Sequence, residues 1–351
     1  MDQQMPHKRR VRYSGTHPKR FEEKYKELNP EKYADDVAHV IGRGATPAGM
    51  HISIMVQEIL DFLQIQPGQI GVDATLGYGG HTGHMLRALQ GQGHLYGLDV
   101  DPIESAKTTE RLRRQGFGED ILTVKLQNFA DIDRLSQEVG KKFDFILADL
   151  GVSSMQIDNP DRGFTYKAEG PLDLRLNPQT GVSAAQRLTE ITQDELEGML
   201  IENSDEPYAA EIAATVAAWQ KAGKPIETTT QMRQVIEESL CFLPQKERKD
   251  AVKKSCQRVF QALRIDVNCE FEVLYAFLDK LPQVLAPNGR VAILTFHSGE
   301  DRLVKQAFKQ FYREGAFSEI SRDVIRPSSD ECLRNPRARS TKMRWAIRSA
   351  V

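Results

Sequence analysis

The chain has 351 residues, long for one compact domain and suited to two. With 40% hydrophobic and 27% charged residues it has the composition of a protein with a packed core. It holds no apolar run near the ~18 residues a membrane-spanning helix needs, so no membrane partner is expected. The formal net charge of −2 conceals two basic clusters. Lys8, Arg9, Arg10, Arg12, Lys19, Arg20, Lys24 and Lys26 crowd the start, and Arg334, Arg337, Arg339, Lys342, Arg344 and Arg348 the end. Both ends therefore suit a polyanionic partner, or else form solvated tails. The N-terminus is polar and carries no apolar secretory signal. Cys241, Cys256, Cys269 and Cys332 are scattered, which fits free thiols in a reducing cytoplasm.

Residues 1–50 read as an extension, with a short helical pattern near Phe21–Leu28 and a Gly/Pro-punctuated stretch at Gly42–Gly49. From His51 the pattern changes, and Ile54, Val56, Ile59, Leu60 and Leu63 recur at helical spacing until Pro67-Gly68. Short apolar runs at Ile70–Leu76, Gly93–Val100, Ile121–Leu126, Phe143–Leu150 and Arg290–Phe296 predict buried strands. Helical patterns at Gly83–Leu89, Ile103–Gln115 and Ile132–Val139 separate the first four. This alternation predicts an α/β fold, a Rossmann-like, doubly wound parallel sheet. Roughly 140 residues then intervene before the fifth strand, far more than a crossover needs. Helical patterns at Ala184–Leu188, Gln193–Ile201, Ala209–Lys221, Thr230–Glu238 and Arg248–Leu263 fill that gap. They predict an inserted helical domain over 159–265, with the main domain formed by 51–158 and 266–351. A helix near Cys269–Leu285 returns the chain to the sheet.

The strand ends carry the chemistry. After the first strand comes Asp73-Ala74-Thr75-Leu76-Gly77-Tyr78-Gly79-Gly80-His81, where glycines let the backbone approach a ligand closely. The second strand ends in Asp99, placed to accept both hydroxyls of a ribose. An adenosine cofactor of either kind, nicotinamide or S-adenosylmethionine, suits this pair. Asp73, at the strand end, can face a cationic amino-acid moiety but repels a pyrophosphate, which favours S-adenosylmethionine. Phe129, after the third strand, can lie on an adenine face or belong to the core. The fourth strand ends in Asp149-Leu150-Gly151-Val152-Ser153-Ser154-Met155-Gln156, where a ligand of an open parallel sheet sits. His51, His81, His84 and His94 are spread out, and no metal cluster is expected.

Several blocks resemble the bacterial 16S ribosomal RNA cytosine-N4 methyltransferase family. They are Asp149–Gln156 with Asp158, Arg162-Gly163-Phe164, Gly170–Arg175, Phe260–Ile265 with Val267, Asn268 and Glu270, Phe296–Arg302, and Asn335–Ser340. The resemblance runs in order from His51 nearly to the C-terminus. It implies a class I S-adenosylmethionine methyltransferase fold and an inserted substrate-recognition domain. It also implies methyl transfer to the exocyclic amine of a cytidine in the small-subunit decoding region. Carried over by position, the cofactor contacts are Gly79, Gly80, His81, Asp99, Phe129, Asp149 and Gln156. Asp149, Ser153 and His297 are the candidate catalytic groups, and Arg162, Arg175 and Arg302 candidate binders of phosphate or base. The implied partner is 16S ribosomal RNA or the small ribosomal subunit, with monomer and homodimer both open. The sequence departs from the family at Gly299 (elsewhere leucine), Lys254–Arg258, Ser204–Glu206 and Asn177. The extension of residues 1–50 has no counterpart in short members. A paralogous enzyme with another RNA or DNA acceptor, a nicotinamide oxidoreductase, and a non-enzymatic RNA-binding assembly protein are the rival readings.

Overall fold

The computed structural model describes residues 53–350. The basic extension, the helix expected near Phe21–Leu28 and the start at His51 lie outside the described residues. The five apolar runs form strands β1 (Ile70–Asp73), β2 (His94–Asp99), β3 (Leu122–Leu126), β4 (Phe143–Asp149) and β5 (Leu285–Thr295). Helices α1 (Val56–Leu63), α2 (Gly80–Ala88), α3 (Pro102–Arg114) and α4 (Ile132–Val139) alternate with them. Two further strands, β6 (Phe317–Ile320) and β7 (Lys342–Arg348), complete one sheet in the order β3-β2-β1-β4-β5-β7-β6. The first five strands run parallel, while β7 lies antiparallel between β5 and β6. This is the class I methyltransferase architecture.

The two-residue period of a strand decides how helices cover the sheet. Phe145 and Leu147 of β4 pack on one face with Met55, Ile59 and Leu63 of the α1 region, Met85 and Leu86 of α2, and Leu112 of α3. Ile146 and Ala148 point the other way, onto Ile132 and Leu135 of α4 and onto two later helices. Those are α11 (Glu270–Val284), with Phe277 and Leu281, and α12 (Ser298–Arg313), with Val304 and Phe308. Gly71 in β1 is needed for this packing, since a Cβ there would stand 2.1 Å from the Phe145 ring.

Between β4 and α11 lie α5 (Ser154–Asp158), α6 (Ala184–Glu190), α7 (Gln193–Ser204), α8 (Ala209–Lys221), α9 (Thr229–Ser239) and α10 (Gln245–Asn268). They pack on a hydrophobic cluster of their own, reaching from Phe164 and Leu172 through Leu200, Ile212, Val235 and Val259 to Leu263. Thr192 and Thr228 start α7 and α9 with reciprocal capping boxes, so these helices begin where the sequence supplies a hydroxyl three residues before Glu195 and Gln231. Cys269 alone turns the chain from α10 into α11, in a left-handed backbone conformation.

The C-terminal basic cluster does not remain a polyanion-binding tail. β7 runs inside the sheet with Met343 and Ala346 fully buried, and Arg344, 5% exposed, donates to Asp301 Oδ1 at 2.7 Å. Lys342 lies 3.7 Å from the same carboxylate, Arg337 pairs with Asp158, and Arg348 donates to the Pro282 and Ala316 carbonyls. Four of the six charges are therefore spent within the fold.

All four cysteines are free, and burial pushes Cys256 up to about 12. Among the described residues no helix is long and apolar enough to cross a membrane.

Candidate active site

The turn after β1 is held from two sides. Gly77 N donates to Asp99 Oδ2 at 2.8 Å, tying the loop to the end of β2, and Asp101 N donates to Asp99 Oδ1 at 2.8 Å. Thr108 Oγ1 of α3 donates to Gly77 O at 2.6 Å. Gly79 has a φ of +76°, and a Cβ on it would stand 2.7 Å from Thr108 Cγ2, so both backbone and space demand glycine. Gly80 opens α2 with His81 directly behind it. Burial pushes the Asp99 carboxyl up to about 6, against the backbone amides that favour its charge.

Asp73 does not face outward as expected. It is 1% exposed, and its oxygens accept from Thr75 N at 3.2 Å and Thr82 Oγ1 at 2.6 Å. It braces the loop from beneath, and burial raises its pKa.

Asp149 ends β4 opposite Leu294 of β5, and its amide donates to Thr75 Oγ1 at 2.6 Å. His81 Nε2 lies 3.5 Å from Asp149 Oδ2, close enough to pair as ions and too long for a good hydrogen bond. His81 Nε2 and Asp149 Oδ1 are buried without hydrogen-bond partners. Burial opposes charge on His81, yet Asp149, with Asp73 and Glu331, carries its pKa above the usual imidazole value. His81 thus favours its protonated form beside this carboxylate more than a free imidazole does. Polar atoms left open at the carboxyl edge of a sheet, beside a second carboxylate at Asp99, fit a cofactor with a ribose and a cationic centre.

The sequence reading missed Asp101, although Asp-Pro at a helix start is a recognisable cap signal. Asp101 is fully buried and caps α3 through Ile103 N and Glu104 N. Its Oδ2 accepts from Gln156 Nε2 at 3.1 Å and from Arg162 Nη1 at 2.6 Å. Gln156, expected on the cofactor, is thus joined to the end of β2 through Asp101. Arg162 also donates to the carbonyls of Arg175 and Leu176, and Arg175 pairs with Asp173. Neither arginine is left to bind phosphate. Ser153 starts α5, where its hydroxyl accepts from Gln156 N at 3.2 Å while Gln156 Oε1 accepts from Ser153 N. Phe129 stands edge-on to Phe277, ring centres 5.1 Å apart, against the core.

His297 follows β5 and starts α12, with Nε2 3.1 Å from Glu300 Oε1 but poorly aligned for a hydrogen bond. Burial would raise Glu300, but His297, Arg264 and the Phe296 amide hold its carboxyl below the ordinary range. Glu270, His297 and Glu300 bring potential ligand atoms within 4.8 Å of one another, a grouping the sequence spacing concealed. Both Glu270 oxygens accept from Arg264, at 2.7 and 2.9 Å, and Glu300 accepts from Phe296 N at 2.8 Å. The two carboxylates are thus held by partners outside the cluster, while both ring nitrogens of His297 are buried without a hydrogen-bond partner.

The profile described as the MraW methylase family matches residues 48–349. The chain is 66% identical to the Ribosomal RNA small subunit methyltransferase H 1 of Agathobacter rectalis, over 99% of this chain and 100% of the relative. It is 66% identical to the protein of the same name in Lachnoclostridium phytofermentans, over 99% and 95% of the two chains. Identity to the Ribosomal RNA small subunit methyltransferase H 2 of Alkaliphilus metalliredigens is 63%, over 97% of each chain. The N-terminal extension, without counterpart in short relatives, is therefore shared with these.

Proposed function

The chain belongs to the MraW methylase family, and we propose on that premise that it methylates the exocyclic N4 amine of a cytidine in 16S ribosomal RNA with S-adenosylmethionine as donor. The observation that carries this reading is Asp149, a carboxylate at the end of β4 with one buried oxygen unpaired and the other facing His81. The family and the names of the relatives set aside the nicotinamide and non-enzymatic readings. They also favour small-subunit RNA over another RNA or DNA acceptor.

S-adenosylmethionine supplies an electrophilic methyl group on a sulfonium. The Gly77–His81 turn and Asp99 are the groups to hold it, with Gln156 fixing Asp101 beside them. In this reading Phe129, packed on Phe277, bounds the adenine side. An exocyclic cytosine amine is a weak nucleophile because its lone pair is delocalised into the ring. Asp149 Oδ1 accepts a hydrogen bond from that amine and favours the tetrahedral, more basic nitrogen, with His81 on the other carboxylate oxygen. Ser153 shapes the α5 turn through its cap, and His297 borders the base pocket from the end of β5. The target base must leave its stack to reach Asp149. The helices of 159–265, with their separate core, form the RNA-recognition domain in this reading, and residues 1–50 add a basic docking segment.

The test is transfer of labelled methyl from S-adenosylmethionine to purified small ribosomal subunits, free ribosomal RNA and DNA, with the product nucleoside identified by mass. N4-methylcytidine in small-subunit RNA is the expected product. Label on a different nucleoside, or none, overturns the assignment.

A further inference from the structure

Residues of α7, α11 and α12 line a cavity of about 500 Å³. Gly299 belongs to its lining, and a Cβ there would stand 2.7 Å from Phe271 Cζ. Phe271 forms one wall, 5.9 Å from the His297 ring, and Leu303 the apolar base. Tyr275, 66% exposed, stands at the mouth as an unburied aromatic ring. Glu202, Glu272 and Arg302 complete the lining. Phe271 of its lining links it to the end of β5, since His297 beside that ring comes three residues after Leu294, the ladder partner of Asp149.

We propose that this cavity receives one unpaired nucleobase of the RNA substrate, a neighbour of the nucleotide being methylated. The proposal rests on the functional reading above and adds a second base site to it. A flat, aromatic occupant matches the Phe271 and Tyr275 rings, since stacking on aromatic side chains is how splayed RNA bases are held. The two carboxylates accept hydrogen bonds from ring N–H and exocyclic amino groups, and Arg302 is placed for the adjoining phosphate. A lining that combines two aromatic rings, two carboxylates and one guanidinium suits a nucleotide better than a lipid or an acidic peptide. Pulling the target base out of its stack also frees its neighbour, which needs a surface to replace the lost stacking.

Tyr275→Ala tests this at an exposed position. KM for unmethylated small ribosomal subunits is expected to rise about tenfold, with the change on KM rather than kcat and the Kd for S-adenosylmethionine constant. Tyr275→Trp keeps the wild-type KM, and its indole fluorescence is quenched when protein-free 16S RNA binds. Gly299→Ala, whose Cβ must displace Phe271, raises KM in the same direction. An unchanged KM in Tyr275→Ala overturns the proposal. So does a raised KM for subunits with no quenching by protein-free RNA, which would assign the cavity to a ribosomal protein. Failure of the unsubstituted protein to methylate any RNA counts against the functional reading alone, because the quenching experiment requires no transfer.

Discussion

Arg162 Nη1 donates to Asp101 Oδ2 at 2.6 Å, with Arg162 8% exposed and Asp101 fully buried. The pair joins the beginning of the inserted segment to the cofactor edge. Asp101 caps α3 and, through its amide, orients the Asp99 carboxylate; Arg162 holds the Arg175 and Leu176 carbonyls. Removing the guanidinium leaves a buried carboxylate without its counter-charge, a loss of about 3–5 kcal/mol. Arg162→Ala is therefore expected to lower the melting temperature by on the order of 10 °C. It should also weaken S-adenosylmethionine binding, through Asp99. Arg162→Lys recovers part of both, since an ammonium reaches Asp101 but not both carbonyls as well. Calorimetric melts and cofactor titration of the two variants check this. Wild-type melting of Arg162→Ala would show that the pair contributes nothing.

Asp149→Asn keeps the size of the side chain and removes its charge. The amide offers one acceptor where the carboxylate offers two, and it no longer gives His81 a charged partner. Methyl transfer is expected to slow by about 10²–10³-fold, the usual cost of losing one electrostatic group aimed at developing charge. Cofactor binding changes little, because Asp99 and the Gly77–His81 turn remain. Single-turnover transfer and calorimetric titration separate the two effects. A single-turnover rate close to that of the unsubstituted protein removes Asp149 from the mechanism.

The strands and helices of the cofactor half were legible because buried strands read as apolar runs. Ile132–Val139 and Ala209–Lys221 match their helices to the residue. β7 was not legible: Lys342, Arg344 and Arg348 make it look like a solvated tail. Only the fold shows that Asp301 neutralises Arg344 inside it. The same limit hid Asp101 and misassigned Asp73. A carboxylate at a strand end reads the same whether it faces a ligand or a buried threonine. Partners distant in sequence decide which.

Asp99 gives the site a pH dependence with a definite sign. Its folded pKa of about 6 lies above the ordinary 3.8 of an aspartate in an unfolded chain, so the native state binds the proton more tightly. Between these values Asp99 favours folding more as pH falls, and above about 6 its buried charge opposes folding. Cofactor binding runs the other way, because a ribose needs the carboxylate as acceptor. The Kd for S-adenosylmethionine is expected to be flat above pH 7 and to rise as pH falls through about 6. Binding near pH 6 releases protons, detectable by titration in buffers of different ionisation enthalpy. Asp99→Asn abolishes the inflection and weakens binding at every pH. Its amide nitrogen would face a backbone N–H, from Gly77 or Asp101, that now has an oxygen acceptor. A Kd independent of pH between 5 and 8 in the unsubstituted protein contradicts the assignment.

The glycine turn allows a sharper test, because two causes of its requirement can be separated. Alanine at position 79 meets a left-handed backbone at φ +76° and places its Cβ 2.7 Å from Thr108 Cγ2. Thr108→Ser removes that methyl and keeps the hydroxyl bond to Gly77 O. Alone it should bind cofactor normally. Gly79→Ala should weaken S-adenosylmethionine binding well beyond the roughly 5–30-fold that about 1–2 kcal/mol of left-handed strain accounts for. Adding Thr108→Ser should recover the steric part and leave the conformational part, with Leu112 Cδ1 at 3.1 Å setting how full the recovery is. Cofactor titration of the four proteins gives the coupling directly. If the double variant binds no better than Gly79→Ala, the contact with Thr108 is not what makes glycine necessary, and the backbone conformation alone carries the requirement.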